Sequence, residues 1–285
     1  MISPSFLDEL DRFRGSIDRL ANARQRGEQR STVLGEGLTF SDYRNYVPGD
    51  DTRLVDWKLY GRTGELYIKQ YESERNLTVH VLLDASESMA AGEGDLNKFE
   101  YAAKLGLGFC SLAAGEHNDF RFSLLGETFE RLDTGTSNQG AVLGLIDRLN
   151  AIEPAGETDF AAALSEYAGT INSRSLVLVA SDFLADAEAV AEGLDAVADN
   201  YLVLAHVHSP DERDPPTSGE TIFKGMERPQ TIRTYFGARQ RRTYQERLEA
   251  HIEAIAEAAR RRRAKHAEVT TDEEFFDAFA RTWIG

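Results

Sequence analysis

Three oxygen-bearing side chains stand at alternate positions directly after an apolar run. Asp84, Ser86 and Ser88 follow residues 79–83, Val-His-Val-Leu-Leu, and such a run is typical of a strand buried on both faces of a parallel sheet. Open α/β sheets bind their ligands at the carboxyl ends of such strands. Hard oxygen donors gathered there suit a small hard cation such as Mg²⁺. The pattern therefore predicts a metal site, and helix capping by Asp or Ser is the simpler alternative.

Two later segments bring further oxygen donors of the same kind. Thr158 lies in a short polar stretch, Gly-Glu-Thr-Asp-Phe, that precedes a helical pattern. A second buried run over residues 175–180 leads into Ser-Asp-Phe, so Asp182 stands at the end of another apolar strand. Asp159, next to Thr158, has two interpretations: it supports the metal ligands from outside their shell, or it caps the following helix.

This order of residues resembles the metal-ion-dependent adhesion site of von Willebrand factor A-type domains: Asp-x-Ser-x-Ser, then Thr, then Asp. The resemblance implies that Ser86, Ser88 and Thr158 bind Mg²⁺ directly, with Mn²⁺ or Ca²⁺ as alternatives. It also implies that Asp84 and Asp182 hold the waters of the cation and balance its charge. Because hydroxyl ligands are neutral, the cation stays electron-poor, and a carboxylate from a partner protein can fill its open position. The expected function is a non-enzymatic, metal-dependent interaction module.

Two other functions compete with this one. A metal-dependent phosphohydrolase would use Asp84 as its nucleophile. Against it, Ser86 stands where such enzymes usually carry a second carboxylate, and neither a general acid nor a phosphate-binding lysine is evident. Lys98 is interpreted as an ordinary charged surface residue outside the site. The third hypothesis is a structural scaffold with a degenerate metal site.

Length and composition define the class of protein. A chain of 285 residues allows one large α/β domain with a small extension. No apolar run approaches the length needed to cross a bilayer, and no signal peptide is evident, so we expect a cytoplasmic protein without membrane insertion. Cys110 is the only cysteine and lies in an apolar helical pattern, which predicts a small core residue and excludes an intrachain disulfide.

The net charge of −16 is unevenly distributed along the chain. Residues 77–236 carry 10 basic and 26 acidic side chains, so the excess coincides with the predicted metal site. This balance argues against a nucleic-acid partner, which requires a basic surface. The scarcity of lysine, 6 residues against 26 arginines, suits solubility in high salt and the cytoplasm of a halophile. The alternative is a locally acidic face that attracts a basic partner.

Strands and helices alternate from residue 77 onward. This alternation predicts a Rossmann-like, doubly wound, mainly parallel sheet with helices on both faces. Residues 210–219 read as a polar loop, and residues 220–223 and 230–236 as a hairpin. The other predicted strands are 66–72, 77–83, 119–125, 127–132, 175–180, 201–207 and 266–269, and the predicted helices are 97–114, 138–149, 159–171, 186–198, 238–265 and 272–283.

The two ends of the chain extend this main domain, predicted over residues 77–285. Residues 1–76 form an extension whose first part, residues 5–24, has one apolar stripe at helical spacing. We expect that helix to pack on the main domain, with docking of a partner as the alternative. The basic cluster at residues 260–265 is interpreted as a solvated helix end that complements the helix dipole, or else as an anion- or partner-binding patch.

A second resemblance covers most of the chain. Residues 43–53, Tyr-Arg-Asn-Tyr-Val-Pro-Gly-Asp-Asp-Thr-Arg, and the following Asp56-Trp57 resemble the signature of the domain of unknown function fifty-eight (DUF58) family. In that family the signature precedes a von Willebrand A-like domain that opens with Asp-x-Ser-x-Ser-Met. Many members carry amino-terminal membrane helices and a β-rich region, neither of which is evident here. Because the family is typically encoded beside MoxR-type AAA+ ATPases, the resemblance implies an adaptor or co-chaperone that works with such an ATPase or its client.

Overall fold

The structure, a computed structural model of the chain, describes residues 1–15, 38–45, 57–63, 65–73, 77–92, 94–215, 219–224 and 231–284. The chain divides into two compact units, residues 1–19 with 77–285 and residues 20–76. Most of the family signature, residues 46–56, lies outside the described residues, as does the predicted helix beyond residue 15. In chain order the elements are α1 (residues 5–15), β1 (Leu38–Asn45), α2 (Trp57–Thr63), β2 (Tyr67–Ser73), β3 (Val79–Asp84), α3 (Lys98–Gly115), β4 (Phe120–Leu125), β5 (Phe129–Arg131), α4 (Gln139–Asn150), α5 (Phe160–Ala168), β6 (Leu176–Ser181), α6 (Ala187–Val197), β7 (Tyr201–His208), α7 (Pro210–Arg213), β8 (Gly219–Lys224), β9 (Thr231–Phe236), α8 (Ala238–Arg261), β10 (Lys265–Thr270) and α9 (Phe275–Ile284).

Two antiparallel strand pairs form two-stranded sheets of their own. In the smaller unit, β1 pairs with β2 from Leu38 opposite Ser73 to Asn45 opposite Tyr67. In the larger unit, β8 pairs with β9 along their whole length, which confirms the predicted hairpin.

Among the described residues, six strands form the central sheet, in the order β10-β7-β6-β3-β4-β5. β3 lies in the middle and pairs in parallel with β4 on one side and β6 on the other. β7 and β10 continue the parallel sheet, and β5 adds an antiparallel edge strand. Because these parallel strands run in the same direction, their carboxyl ends all lie at one edge of the sheet.

Helices cover both faces of this sheet, because successive side chains of a buried strand point to opposite sides. Val81 and Leu83 of β3 pack with residues of α3, α4 and α9 on one face, in a cluster that also contains Cys110. Leu82 packs with residues of α5, α6 and α8 on the other face. Burying a side chain of this size contributes roughly 1.5–3 kcal/mol to folding. The predicted Rossmann-like, doubly wound fold and the core position of Cys110 are confirmed.

α3 lies close to the sheet because glycines line its inner side. Asn97 starts the helix by accepting a hydrogen bond from the backbone N–H three residues later, at 2.9 Å. A Cβ atom added at Gly106 would stand 2.7 Å from Val81 of β3, and one at Gly108 would stand 2.4 Å from the ring of Phe279. Gly106 therefore allows α3 to lie close to the sheet, and Gly108 allows it to lie close to α9.

α1 packs into the core of the larger unit. Ile2, Phe6 and Leu10 are buried in the same cluster as β3 and α3. The ring of Phe6 meets Phe275 of α9 edge-on, with 5.1 Å between ring centroids. Residues 1–15 are thus an integral part of the α/β body.

α7 replaces part of the polar loop predicted over residues 210–219. Ser209 accepts a hydrogen bond from the backbone N–H of Glu212, and the Glu212 side chain accepts one from the backbone N–H of Ser209 at 2.9 Å. This reciprocal capping stabilises a single helical turn that hydrophobic periodicity does not reveal, since the turn buries no residue.

Two ion pairs tie the residues at the end of α7 to neighbouring elements. Arg213 pairs with Glu268 of β10, and Asp214 pairs with Arg241 of α8. Both pairs are at least partly exposed, so each contributes little to stability on its own.

α8 ends earlier than the predicted helix over 238–265. The backbone turns at Arg263, which has a positive φ of 55°, and Lys265 already begins β10. Arg260 bonds to Glu257 of its own helix and is exposed, which agrees with a solvated helix end, whereas Arg262 is largely covered and pairs with Asp195 of α6 at 2.7 Å. No helix in the described ranges combines the length and apolarity that crossing a bilayer requires.

Candidate metal site

The five predicted metal ligands come together at the carboxyl edge of the sheet. Asp84 is the last residue of β3, and Asp182 follows the last residue of the neighbouring β6. Ser86 and Ser88 lie in the turn after β3, with 3.0 Å between their Oγ atoms, and Thr158 lies in the loop before α5. All except Ser88 line one open cleft of about 1130 Å³.

Asp84 is a buried carboxylate that accepts several hydrogen bonds, none of them from a Lys, Arg or His side chain of the described residues. Its Oδ1 accepts from the Ser86 backbone N–H at 2.9 Å and from the Thr158 hydroxyl at 2.6 Å, and its Oδ2 accepts from the Ser181 hydroxyl at 2.5 Å. Burial and the nearby charge of Asp182 raise the pKa of Asp84, although these hydrogen bonds act in the opposite direction. The site thus contains two close carboxylates whose repulsion a cation would relieve.

The capping alternative holds for Asp159 and not for the two serines. Asp159 accepts from the backbone N–H of Ala162 at 3.0 Å and caps α5. Ser86 precedes a single turn of 3-10 helix, Glu87–Ala90, but its side chain makes no capping hydrogen bond. The serine hydroxyls are therefore not needed to start a helix.

The turn after β6 is held in an unusual backbone conformation. Phe183 has a positive φ of 46°, a region that non-glycine residues seldom adopt. The Ser181 hydroxyl accepts from the Phe183 N–H at 2.8 Å, and Asp182 Oδ1 accepts from the Leu184 N–H at 3.1 Å. Such strain persists only where the surroundings fix it, and it clusters at functional sites.

Three histidines, of which His206 is buried, also hold the backbone of this turn through hydrogen bonds. His206 Nε2 donates to the Asp182 carbonyl at 2.8 Å, and His206 Nδ1 then accepts from His266 Nε2 at 3.1 Å. His251 Nε2 donates to the Phe183 carbonyl at 2.7 Å. A ring N–H donates to each of the two carbonyls, at Asp182 and at Phe183. These bonds orient the backbone that presents the Asp182 side chain.

The prediction that Lys98 is a surface residue is wrong. Its side chain is fully buried, its Nζ donates to Asp182 Oδ2 at 2.6 Å, and it also contacts Glu212 Oε1 of α7. Burial alone would lower the pKa of Lys98, but the charges of Asp182 and Glu212 outweigh it and raise that pKa. Lys98 is therefore a charged amine inside the site.

A sequence signal for Lys98 does exist. Lys98 is the first residue of α3, directly after the cap Asn97, and a cation at that end of a helix opposes the helix dipole. Such a residue needs an acidic partner. Ser181 and Glu212 were also missed, and the pattern Ser209-x-x-Glu212 is a capping-box signature that locates the second of them.

The residues present fit a hydroxyl-rich cation site. Within the described ranges, no group of three or more His, Cys, Asp or Glu side chains is arranged to hold a metal. A cation here would therefore meet the hydroxyls of Ser86, Ser88 and Thr158, with carboxylates behind them. Lys98 is shared between Asp182 and Glu212 and does not bond to Asp84.

A profile of the family described as "Protein of unknown function DUF58" matches residues 42–254. The chain belongs to this family. Among curated DUF58-like relatives, uncharacterized protein Rv1480 of Mycobacterium tuberculosis (strain H37Rv) is 25% identical over 205 residues, which cover 70% of this chain and 64% of the relative. The chain thus spans slightly less than two thirds of that relative's length, and family membership predicted from the signature is confirmed.

Solved structures with a similar fold have low sequence identity to this DUF58 chain. The conserved hypothetical protein BatB from Bacteroides thetaiotaomicron is 16% identical, has a TM-score of 0.47, and covers 72% of this chain and 96% of its own. The SpRpn10 VWA domain is 13% identical, has a TM-score of 0.45, and covers 73% of this chain and 96% of its own.

The opening of the cleft in this DUF58 chain is acidic. No lysine or arginine is present among the described residues that line it. Leu184, an exposed apolar residue, lies at the same opening. Four carboxylate side chains besides the predicted ligands also line it: Glu127, Glu157, Asp159 and Asp186.

Proposed function

We propose that this chain is a non-enzymatic interaction module that binds a partner protein through a divalent cation, preferentially Mg²⁺. The observation that carries the proposal is that buried Asp84 and Asp182 line one cleft with Ser86 and Thr158, and that the Ser88 hydroxyl lies 3.0 Å from that of Ser86. The hydroxyls would bind the cation, and the two carboxylates would hold its waters and balance its charge.

The neutrality of the hydroxyl ligands defines what the site can do. A bound cation would act as a Lewis acid with an open position for an oxygen of a partner. Asp84 would not bind the cation directly, because both of its oxygens already accept hydrogen bonds from the protein. The strained turn at Phe183 keeps Asp182 at the cleft. These residues prepare a place for a carboxylate and do not themselves transfer any group.

The acidic opening restricts the chemistry of the partner. Glu127, Glu157 and Asp186 line the same cleft and would repel a carboxylate that approaches the cation without a neighbouring positive charge. We therefore propose that the partner presents one Asp or Glu side chain within a basic segment. Leu184 offers an apolar contact next to that carboxylate.

The proposed partner is a MoxR-type AAA+ ATPase, or a client protein of such an ATPase. Membership in the DUF58 family supports this choice, through the association implied by the family resemblance. The role would be that of an adaptor whose hold on its partner depends on the metal.

A phosphohydrolase agrees less well with the geometry. Asp84 is 1% exposed and its oxygens are engaged, so it is not presented as a nucleophile. Lys98 is held between two carboxylates and is not free to bind a phosphate. Ser86 still occupies the position where a second carboxylate would be required.

Calorimetric titration of Mg²⁺ and Mn²⁺ tests the metal site. We expect one ion per chain, and we expect Ser86→Ala to weaken binding roughly 10- to 100-fold, as loss of a ligand or its support does at metal sites. Ser111→Ala is the matched control, because Ser111 is a buried serine on α3 that bonds to Gln139. Absence of binding by the native chain, or equal binding by Ser86→Ala, would refute the assignment.

Binding of a purified MoxR-type ATPase tests the partner. We expect the two proteins to associate in Mg²⁺ and to separate when a chelator is added. The Ser86→Ala variant should fail to bind in Mg²⁺, and the Ser111→Ala control should bind normally. Association that persists in chelator would show that the metal plays no part in it.

A further inference from the structure

The buried amine of Lys98 bonds to a carboxylate that the proposed metal would also use. Lysine is among the residues least often buried, yet the Lys98 side chain has no exposed area. Its Nζ lies 2.6 Å from Asp182 Oδ2, and Asp182 is one of the two carboxylates behind the cation site. The same carboxylate would therefore face two positive charges when a metal is bound.

Asp182 carries one negative charge, which two cations would have to share. Its Oδ1 accepts from the Leu184 N–H at 3.1 Å, and its Oδ2 accepts from Lys98. In a buried site, charges repel or attract more strongly than they do in water, so the ammonium and the metal weaken each other's interaction with Asp182.

Glu212 gives Lys98 a second place to reside. It contacts the Lys98 amine from α7 and is 19% exposed, so it is reached by solvent while Asp182 is not. Lys98 therefore keeps a carboxylate partner even when a metal draws Asp182 toward the cleft.

We infer that Lys98 is a resident cation that competes with the divalent metal for Asp182 and thereby limits how tightly the site holds that metal. This inference rests on the proposed metal-binding function. Because the chain alone holds the metal weakly, a partner's carboxylate can strengthen the binding by completing the coordination of that metal. Binding of the metal and binding of the partner then stabilise each other.

Calorimetric titration of Mn²⁺ into the native chain and three variants tests the inference. Lys98→Met removes the charge and keeps an unbranched apolar stem, and we expect it to bind Mn²⁺ roughly tenfold tighter than the native chain. Lys98→Arg keeps the charge and should not show this gain. Lys104→Gln is the matched control, since Lys104 lies on the same helix and pairs with Glu100 at 3.1 Å; it should bind Mn²⁺ as the native chain does.

A double-mutant cycle separates competition for Asp182 from a general charge effect. In the Asp182→Asn background, we expect Lys98→Met to change Mn²⁺ affinity less than about twofold, because the shared carboxylate is gone. An equal gain with and without Asp182, or an equal gain from Lys104→Gln, would overturn the inference.

Glu212→Gln keeps the test decisive if Lys98→Met fails to fold. Loss of Glu212 leaves Lys98 with Asp182 alone, so Mn²⁺ should bind about threefold weaker. Asp214→Asn removes a nearby charge that does not contact Lys98 and should have a smaller effect. If the native chain binds Mn²⁺ and neither Lys98→Met nor Glu212→Gln changes the affinity, only the inference fails. If no chain binds Mn²⁺, the proposed function fails as well.

Discussion

Asp84 and Asp133 are both buried carboxylates beside the central sheet, but their surroundings differ. Asp133 binds Arg131 through both carboxylate oxygens, at 2.6 and 2.9 Å, and accepts backbone N–H groups from Phe122 and Gly135. Burial alone would raise the pKa of Asp133, but these hydrogen bonds outweigh it and lower that pKa. Asp84 has hydroxyls and one N–H for partners and a second carboxylate nearby, and its pKa is raised.

We propose that this difference separates a structural charge from a functional one. Asp133 is ionised and satisfied within the chain, so its role is to hold the β4–β5 edge together. Among the described residues, no Lys, Arg or His side chain bonds to buried Asp84, and perturbed groups of this kind cluster at sites that bind or react with something else. The comparison therefore predicts different effects on stability and metal affinity when each carboxylate is neutralised.

Acidification should destabilise the region around Asp133, through the buried His80. Burial lowers the pKa of His80 to about 4, and Arg121 acts in the same direction. Because the unfolded chain takes up a proton near pH 6.5 and the folded chain does not, stability should fall between about pH 6.5 and 4, by about 3 kcal/mol for this group. Urea denaturation at several pH values checks this.

The His80→Gln variant isolates that contribution. It keeps an acceptor for the Tyr167 hydroxyl, which lies 2.7 Å from His80 Nδ1, but it does not titrate. We expect its stability to fall less steeply than that of the native chain over the same pH range. Parallel pH profiles for the two chains would contradict the assignment to His80.

Neutralising Asp84 should remove metal binding without loss of metal-free stability. In Asp84→Asn, we expect the Mg²⁺ affinity to drop about 100-fold, which corresponds to about 2.7 kcal/mol. The unfolding free energy in chelator should equal or exceed that of the native chain, since the repulsion with Asp182 disappears. A marked loss of stability in chelator would show that Asp84 is a structural residue like Asp133.

Neutralising Asp133 should have the reverse effect. We expect Asp133→Asn to lower the unfolding free energy by about 2 kcal/mol, because the charge-assisted bonds to Arg131 are lost, and Arg131 is itself half exposed. Mg²⁺ affinity should not change. Urea denaturation and calorimetry on the same sample measure both quantities.

The smallest expected effect separates the cap from the metal site. Asp159→Ala should cost about 1 kcal/mol of stability through loss of the α5 cap. We expect Mg²⁺ affinity to change less than that of Ser86→Ala. A loss of affinity as large as that of Ser86→Ala would assign Asp159 to the metal site after all.

Most of the fold was predictable because the strands carry their signal locally. Residues 79–83 and 175–180 are continuous apolar runs, and the oxygen donors after them follow from the rule that parallel strands end at one edge. The convergence of Asp84 and Thr158 required only that order of elements. The end of α8 was missed because the turn at Arg263 carries no glycine or proline.

The buried ion pairs were not predictable to the same extent. Lys98 is 84 residues from Asp182 and 114 from Glu212 in the chain, so its partners depend on how α3 and α7 meet the sheet edge. Hydrophobic periodicity reports which face of a helix is apolar, but it does not report which polar residue at its first turn is drawn inward. The approach of α3 depends in turn on the glycines that face β3 and α9.

The short helix α7 and the residue after it connect three other elements through ion pairs. Three consecutive charged residues, Glu212, Arg213 and Asp214, reach α3, β10 and α8 respectively. A displacement of this one turn must therefore alter three ionic contacts at once. Because Glu212 contacts Lys98, a shift of α8 or β10 would also change the surroundings of the buried amine beside Asp182.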